Sequence, residues 1–279
     1  MQLVTTARPT DPRPIGVFDS GIGGLTILRE LVRTLPGERF VYFGDDANCP
    51  YGPRPEHEVC ELALAATRWL LAHDAKAIVV ACNSASVSAR DVLRATFPTT
   101  PIVVVVPAVK PAATLTRSGT IILAATARAI NDRFTHTLIA DFARDVTVIA
   151  VACPSLVKLV ETGQLTGSVP ERAIRRYFRP ALAAGADVVV LGCTHFPALR
   201  AAVVRVVGPD VAVIDSGAAV ARQTRRVLAA NGLCAPQHGG DAPTDLPVAF
   251  WTSGDPERFA TVGSLVQGHA ITVRATATE

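Results

Sequence analysis

Short runs of β-branched and other apolar residues recur along the chain and alternate with stretches of helical periodicity. After the first run, Leu25, Leu28, Leu31 and Leu35 recur at the spacing of one helix face. Continuous apolar strands that alternate with helices are typical of parallel sheets covered on both faces. The pattern therefore predicts an α/β fold. The predicted strands are residues 15–18, 39–43, 77–81, 102–106, 120–124, 146–151, 187–192 and 211–214.

One of these runs is repeated in the second half of the chain. The segment "AKAIVVAC" at 75–82 aligns without a gap with "ADVVVLGC" at 186–193, and each ends in a cysteine. A weaker match relates "IGVFDSGIGGL" near the start to "TIILAATARAI" at 120–130. The repeat predicts two pseudo-symmetric lobes, each a mainly parallel sheet flanked by helices. Ligands of open α/β sheets bind beyond the carboxyl ends of the strands, so we expect the active site in the cleft between the lobes.

The domain division follows from the same repeat. We expect residues 1–14 to form a flexible N-terminal tail and residues 107–214 to form the second lobe. The segment from 215 to the end carries a further strand and helix around "AFWTSGDPERFATVG". We expect that segment to pack back on the first lobe, which then consists of residues 15–106 plus 215–279.

Composition narrows the class of protein. No apolar run approaches the roughly 18 residues that a membrane span needs, and the N-terminus has no basic segment followed by an apolar one. We therefore expect a cytoplasmic protein without a membrane partner. The net charge is only +3, and the arginine-rich segment 171–180 is typical of the solvated face of a helix. A nucleic-acid partner is therefore not expected.

Two of the six cysteines stand out by their position. The chain contains no C-x-x-C pair, so we expect free thiols. A single cysteine beside valines is commonly a small core residue, but Cys82 and Cys193 follow apolar strands in matched contexts. A thiol at a strand end, just before a helix, is expected to feel the helix dipole, which favours the thiolate.

Two thiols that face each other across a cleft suit proton transfer at carbon. One thiolate removes a proton while the opposite thiol supplies one, and the chirality of the carbon inverts. Hydrolysis needs one nucleophile, and redox thiols usually lie close in sequence. Hydrogen-bonding residues that suit a carboxylate follow each cysteine: Asn83 and Ser84 in one case, Thr194 and His195 in the other.

The motif "FDSGIGG" offers a carboxylate and a hydroxyl at the end of the first strand. Asp19 can accept or orient a thiol proton and Ser20 can bind a substrate carboxylate, although both residues could instead cap the next helix. A dinucleotide loop is disfavoured because Thr26 stands where G-x-G-x-x-G requires glycine.

Three other places carry weaker signals. The turn "CPYGPRP" at 49–55 places the Tyr51 hydroxyl and the Gly52 N–H over a strand end. His57, Cys60 and Glu61 could share a helix face, but no second cluster completes a metal site, so no metal is predicted. Glu161 ends a predicted helix, where a carboxylate is normally solvated.

Seven motifs together resemble those of the glutamate racemases, within the cofactor-independent aspartate/glutamate racemase superfamily. The resemblance spans about residues 15–268. It implies interconversion of L- and D-glutamate for peptidoglycan synthesis, with no cofactor; pyridoxal phosphate is not used, in agreement with only three lysines in the chain. A homodimer is a further expectation. The motifs are "GVFDSGIGGL", "PYG", "ACNSAS", "VETG", "GCTHFPAL", "IDSG" and "TSGDPERF".

The resemblance also implies roles for individual residues. Cys82 is expected to act on D-glutamate and Cys193 on L-glutamate, assisted by Asp19 and His195, with Glu161 near the second thiol. Thr126, at the matching strand end of the second lobe, is a weaker member of the binding set. The residues expected to hold the substrate's carboxylates and amine are Ser20, Pro50, Tyr51, Gly52, Asn83, Ser84 and Thr194.

The chain departs from the family pattern at three places. It reads "GDDANCPYG" where "GDTAR-PYG" is common, so Asp46 and Asn48 alter the loop before Tyr51. "ACNSAS" has serine for the usual threonine, and "LAATARAINDRF" lacks the "T-x-x-S-x-x-Y" pattern. Two alternatives stay open: a racemase for another acidic amino acid such as aspartate, and a non-catalytic amino-acid-binding or regulatory protein, for example one that inhibits gyrase.

Overall fold

The computed structural model describes residues 10–236 and 248–276. The strands are β1 (Ile15–Asp19), β2 (Phe40–Gly44), β3 (Ala77–Val80), β4 (Ile102–Val104), β5 (Thr120–Ala125), β6 (Thr147–Ala152), β7 (Val188–Leu191), β8 (Ala212–Ile214), β9 (Val248–Thr252) and β10 (Val273–Ala275). The helices are α1 (Leu25–Thr34), α2 (Glu56–Ala72), α3 (Asn83–Thr96), α4 (Val109–Leu115), α5 (Ala127–Asn131), α6 (Arg133–Phe142), α7 (Pro154–Glu161), α8 (Ser168–Ala183), α9 (Arg200–Val207), α10 (Gly217–Ala230) and α11 (Pro256–Gln267).

The strands form two sheets in which every described pairing is parallel. The first sheet has the order β10-β9-β2-β1-β3-β4 and the second the order β6-β5-β7-β8. The run β2-β1-β3-β4 therefore repeats the order of the whole second sheet, with β1 in the place of β5 and β3 in the place of β7. This confirms the predicted α/β fold with two similar sheets.

Burial explains why the strands read as continuous apolar runs. Every residue of β1, β3 and β7 is buried, because these central strands have helices on both faces of the sheet. The edge strand β6 has no fully buried residue. Its apolar run, 146–151, was nevertheless enough to predict a strand.

The C-terminal part of the chain adds two strands to the first sheet. β9 pairs with β2 and β10 pairs with β9. The sequence predicted a strand near β9 but not β10. Most of the Pro/Gly-rich loop before β9 and residues 1–9 of the predicted tail lie outside the described residues. The domain boundaries given above stay a prediction.

Residues 10–14 at the end of that tail contact the first lobe. The Lys76 ammonium donates to the Asp11 carbonyl oxygen at 2.6 Å and to Glu38 Oε2 at 2.5 Å. The side chains of Lys76 and Glu38 are buried. Removing one partner would leave an uncompensated buried charge, which typically costs about 3–5 kcal/mol.

Membrane insertion of a helix is not supported by this fold. Across residues 10–236 and 248–276, none of the helices combines the length and the apolar content needed to span a bilayer.

The two sheets direct the carboxyl ends of their central strands toward one another. Asp19 ends β1 and Cys82 follows β3 in one lobe, while Thr126 follows β5 and Cys193 follows β7 in the other. Hydrogen bonds join these ends across the cleft, since Thr194 Oγ1 donates to Asp19 Oδ2 at 2.8 Å. The fold thus brings the two cysteine-bearing strand ends of the sequence repeat to one place.

Candidate active site

A cavity of about 190 Å³ lies between the lobes and contains both cysteines in its wall. Eleven of the thirteen site residues named from the sequence line it; the exceptions are Asp19 and Glu161, which lie behind it. The lining residues are Ser20, Pro50, Tyr51, Gly52, Pro53, Cys82, Asn83, Ser84, Thr126, Ala127, Pro154, Val157, Cys193, Thr194 and His195.

Cys82 is a buried thiol at the start of helix α3. Its Sγ donates to Ser20 Oγ at 3.7 Å. Burial raises the pKa of Cys82 to about 12, the negative charge of Asp19 adds to this, and the N–H of Ala85 opposes it only weakly. Cys82 is the N-cap of α3, so the predicted position at a helix start is confirmed. Desolvation of the sulfur nevertheless outweighs the helix N-terminus, and the net pKa is raised instead of lowered.

Asp19 supports Cys82 through Ser20. Its Oδ1 accepts the Gly21 N–H at 2.8 Å and the Ser20 hydroxyl at 3.3 Å, and its Oδ2 accepts the Thr194 hydroxyl. Burial raises the pKa of the Asp19 carboxyl. Helix α1 begins at Leu25 without a side-chain cap, so the capping alternative for Asp19 and Ser20 is wrong.

The surroundings of Cys193 differ from those of Cys82. A 3₁₀ turn at Phe196–Leu199 separates Cys193 from helix α9, so no helix begins directly after this thiol and the predicted dipole contact is absent there. Cys193 Sγ lies 3.7 Å from His195 Nδ1, and His195 Nε2 lies 2.6 Å from Glu161 Oε1. The two thiols are therefore matched in strand position but not in their neighbours.

His195 and Glu161 form a buried, charged pair. Burial lowers the pKa of His195, but its hydrogen bonds to Cys193, Cys49 and Glu161 outweigh burial and raise that pKa well above its usual value. Burial likewise raises the pKa of Glu161, but the hydrogen bond and charge of His195 outweigh it and the pKa is lowered. Glu161 is thus an ordered partner of an imidazolium and not the solvated helix end that its sequence position indicated.

The Tyr51 hydroxyl donates a hydrogen bond within the first lobe. It donates to Asp45 Oδ2 at 2.6 Å, and Asp45 also accepts Asn48 Nδ2 at 3.0 Å and Ser253 Oγ at 2.7 Å. The proton of this hydroxyl is therefore committed to a carboxylate of its own lobe, and the binding role of Tyr51 stays a prediction. Tyr51 lines the cavity with other atoms.

Polar groups on both sides of the cavity are placed to hold an anion. Asn83 Nδ2 is buried and has no hydrogen-bond partner among the described residues. Ser84 Oγ lies 3.3 Å from Thr126 Oγ1 of the other lobe. The first backbone N–H groups of α3 are also free of helix partners, an arrangement that suits a carboxylate.

Two residues near the site were not selected from the sequence. Cys49 Sγ lies 3.5 Å from Glu161 Oε1, and burial raises the pKa of Cys49 to about 12. Arg258 donates to the Glu161 carbonyl oxygen at 3.0 Å and pairs with Asp46. In the sequence, Cys49 was marked only by its position directly before "PYG", and Arg258 only by its position within "TSGDPERF".

Metal-ligating side chains come together at one place in the described part of the chain. The donor atoms of Cys49, Glu161 and His195 all lie within 4.8 Å of one another. His57, Cys60 and Glu61, which the sequence offered as a weak candidate, instead line a separate surface cavity with Glu56.

The chain is similar to proteins of known family. A family model described as Asp/Glu/Hydantoin racemase matches residues 15–224. A protein named glutamate racemase from Herpetosiphon aurantiacus is 46% identical over 251 residues, which cover 90% of this chain and 96% of that protein.

Solved structures agree with this similarity. The glutamate racemase of Escherichia coli, solved with L-glutamate and the activator UDP-MurNAc-Ala, matches with a TM-score of 0.81 and 33% identity over 95% of this chain and 98% of that one. The glutamate racemase of Francisella tularensis, solved with D-glutamate, matches with a TM-score of 0.80 and 28% identity over 96% and 98% of the two chains.

Proposed function

The chain belongs to the Asp/Glu/hydantoin racemase family, and from that premise we propose that it interconverts L- and D-glutamate by moving a proton between two thiols. One observation carries the proposal: Cys82 and Cys193, which follow corresponding strands of two similar sheets, line the same cavity. The names of the relatives support glutamate as the substrate.

In the proposed reaction, the α-carbon of glutamate sits between the two sulfur atoms. Cys193 takes the α-proton of L-glutamate and Cys82 supplies a proton to the opposite face; the roles reverse for D-glutamate. Because the pKa of Cys82 is raised to about 12, this residue is a neutral thiol and is ready to donate. His195, as an imidazolium, can hold the charge that develops on Cys193 when that sulfur becomes a base.

Deprotonation of the α-carbon needs stabilisation of the negative charge that spreads onto the carboxylate. Asn83 and Ser84, the first residues of α3, line this end of the cavity, and Asn83 Nδ2 has no other partner among the described residues. In the proposal, this amide and the start of α3 act as fixed donors for that charge. Ser20, Pro50, Tyr51, Gly52, Ser84, Thr126 and Thr194 complete the proposed binding set. Asp19 and Glu161 act from behind the wall, through Ser20 and His195.

The same proposal extends to the cofactor requirement, the biological role, the location and the oligomeric state of the protein. We propose that the reaction needs no cofactor, that D-glutamate supplies peptidoglycan synthesis, and that the enzyme works in the cytoplasm as a homodimer. The lobes are taken as residues 15–106 plus 215–279 and residues 107–214. A binding or regulatory protein without catalysis is less well supported, because both thiols and the neighbours of each are in place.

The direct test is a racemisation assay on the purified full chain. L-glutamate should lose optical activity in the presence of a chelator and without added cofactor, and L-aspartate should react far more slowly. In D₂O the product should carry deuterium while the remaining substrate gains little, because donor and acceptor thiols differ. Rapid exchange into the remaining substrate would indicate a single base and contradict the mechanism.

Single-cysteine variants give the second test. Cys82→Ala and Cys193→Ala should each lose about 10²–10⁴-fold in rate, the usual contribution of a positioned acid or base. Cys60→Ala is the matched control, since Cys60 lies in a different cavity and should keep full activity. Near-normal racemisation by Cys82→Ala or Cys193→Ala would overturn the proposal.

A further inference from the structure

Cys49 is a thiol beside the active site for which the proposed proton transfer has no use. Its Sγ lies 3.5 Å from Glu161 Oε1, and His195 Nε2 approaches the same oxygen at 2.6 Å. The three side chains come from the loop after β2, the end of α7 and the loop after β7. A sulfur, a ring nitrogen and a carboxylate oxygen thus meet at one point between the lobes.

This donor set is typical of one class of ligand. Thiolate, imidazole and carboxylate are the usual ligands of Zn²⁺, at about 2.0–2.3 Å from the ion, so ligand atoms of a tetrahedral ion lie about 3.3–3.8 Å apart. The separation of Cys49 Sγ and Glu161 Oε1 already fits that range. His195 and Glu161 need to part by less than about 1 Å. Mg²⁺ and Ca²⁺ prefer oxygen ligands and do not fit.

Two further observations favour an ion here. Glu161 Oε2 is buried and lacks a hydrogen-bond partner within the described part of the chain, although the Arg258 guanidinium lies 3.9 Å away. The carboxylate therefore has an unused acceptor beside the oxygen that Cys49 and His195 approach. Gly21 allows the two side chains to approach each other, because a Cβ at this position would collide with Cys49 Sγ at 2.9 Å and with the Glu161 carboxylate at a shorter distance.

Two of the three ligands, Cys49 and Glu161, can be reached without passing through the substrate cavity, past a wall that also carries Lys158 and Arg258. A second cavity of about 330 Å³ is lined by both Cys49 and Glu161 but not by either catalytic cysteine. It shares the wall residues Pro50, Pro154 and Val157 with the substrate cavity. An ion bound from this side leaves the glutamate position open.

We propose that Cys49, Glu161 and His195 form a binding site for a borderline-soft divalent ion such as Zn²⁺, and that the bound ion inhibits racemisation. The ion forms bonds to Sγ, a carboxylate oxygen and Nε2. The Cys49 thiol proton and the proton shared by His195 and Glu161 pass to the buffer, and nothing is oxidised or reduced. His195 then exchanges its bond to Glu161 for one to the ion, while Nδ1 stays on the side of Cys193. The ring has to move relative to Glu161 by up to about 1 Å, and a misplacement of that size beside the reacting sulfur can cost up to about 10²-fold in rate.

The binding test uses Co²⁺ as a spectroscopic probe on the full chain. Co²⁺ should give the visible bands of a tetrahedral ion and a thiolate-to-cobalt charge-transfer band; Zn²⁺ should displace it, and excess Mg²⁺ should not. Cys49→Ser should remove the charge-transfer band and weaken binding by at least about 100-fold, since loss of even an outer partner costs roughly 10–100-fold. Cys60→Ser, a change of another partly exposed thiol, should keep both signals.

Specific results would overturn this assignment. An unchanged charge-transfer band in Cys49→Ser would place the ion on other thiols, such as the catalytic pair. If circular dichroism shows that Cys49→Ser is misfolded, Glu161→Gln, which keeps the side-chain volume, carries the same test: unchanged Co²⁺ affinity in that variant rejects the site.

The proposed inhibition by the bound ion rests on the proposed function, and it is measured separately through the kinetics of racemisation. Zn²⁺ should lower kcat with little change in KM, because the ion and glutamate occupy different places. Protection by glutamate, or full activity with the ion bound, would reject the inhibition. The cobalt spectra do not depend on activity, so a failure of the racemase proposal would be distinguishable from a failure of the metal site.

Discussion

The hydroxyl of Thr194 in one lobe donates a 2.8 Å hydrogen bond to Oδ2 of the fully buried Asp19 in the other. The backbone oxygen of Thr194 also accepts the Thr26 hydroxyl at 2.8 Å. One residue therefore ties the strand end behind Cys82 to the loop that carries Cys193.

Thr194→Val should weaken both stability and activity. The change keeps the side-chain shape but leaves a buried carboxylate without one partner, which costs about 1–3 kcal/mol. Urea unfolding should show that loss, and racemisation should slow in both directions. Thr194→Ser, which retains the hydroxyl, is the control; equal losses in the two variants would contradict the role of the hydrogen bond.

Glu161→Gln should change the pH dependence of stability. The raised pKa of His195 contributes stability that is present below its usual value of 6.5 and is lost as pH rises through the folded-state pKa. The lowered pKa of Glu161 contributes stability that is present above 4.5 and is lost as pH falls through the folded-state pKa. The difference in free energy of unfolding between parent and variant should therefore be largest between these two values. A difference that does not vary with pH would count against the charged pair.

The Cys82 thiol should resist alkylation at neutral pH. Its pKa is raised to about 12 by burial, so the thiolate fraction is small and grows as the solution becomes alkaline. Peptide mapping after iodoacetamide treatment should show slow modification that accelerates with pH while circular dichroism stays native. Fast alkylation of Cys82 at neutral pH would show that the thiolate is stabilised after all.

Arg258→Met should lower kcat by about 10-fold with little change in KM, since small misplacements far from the reacting atoms can cost up to 10²-fold. Arg258 donates to the Glu161 carbonyl oxygen but does not line the substrate cavity, so it acts by positioning Glu161 and, through it, His195. Asp46→Asn should act in the same direction. A double-mutant cycle checks the pairing: strictly additive effects of the two changes would mean that Asp46 and Arg258 act independently.

Tyr51→Phe should cost stability and leave substrate affinity nearly unchanged. The hydroxyl donates to the buried Asp45, so its loss leaves an acceptor with one partner fewer, at about 1–3 kcal/mol. Thermal unfolding and KM for glutamate measure the two effects. A large rise in KM with unchanged stability would show that the hydroxyl binds the substrate.

The sequence predicted the fold well because the relevant signal is local. Continuous apolar runs mark buried parallel strands, and the repeat around Cys82 and Cys193 marks corresponding strands of two sheets. The edge strand β10 was missed because its three residues, Val273–Ala275, are partly exposed and carry no apolar run.

The surroundings of the thiols were predicted less well, because they depend on contacts between distant segments. Cys49 and Glu161 are far apart in the chain, and so are Asp46 and Arg258, so no spacing rule indicates their proximity. The direction of the Cys82 pKa was also wrong, because a helix N-terminus is visible in a sequence but the extent of desolvation is not.

The shared strand order of the two sheets bears on how the protein treats mirror-image molecules. In the proposed reaction, two halves of the same strand order approach one carbon from opposite sides, so the scaffold itself gives neither hand an advantage. Thermodynamics fixes equal amounts of the two enantiomers at equilibrium, and therefore equal kcat/KM in the two directions. Individual turnover numbers are under no such constraint. Ser20 and Asp19 support the Cys82 sulfur, whereas the His195 imidazolium supports the Cys193 sulfur. This difference in surroundings allows the forward and reverse turnover numbers to differ.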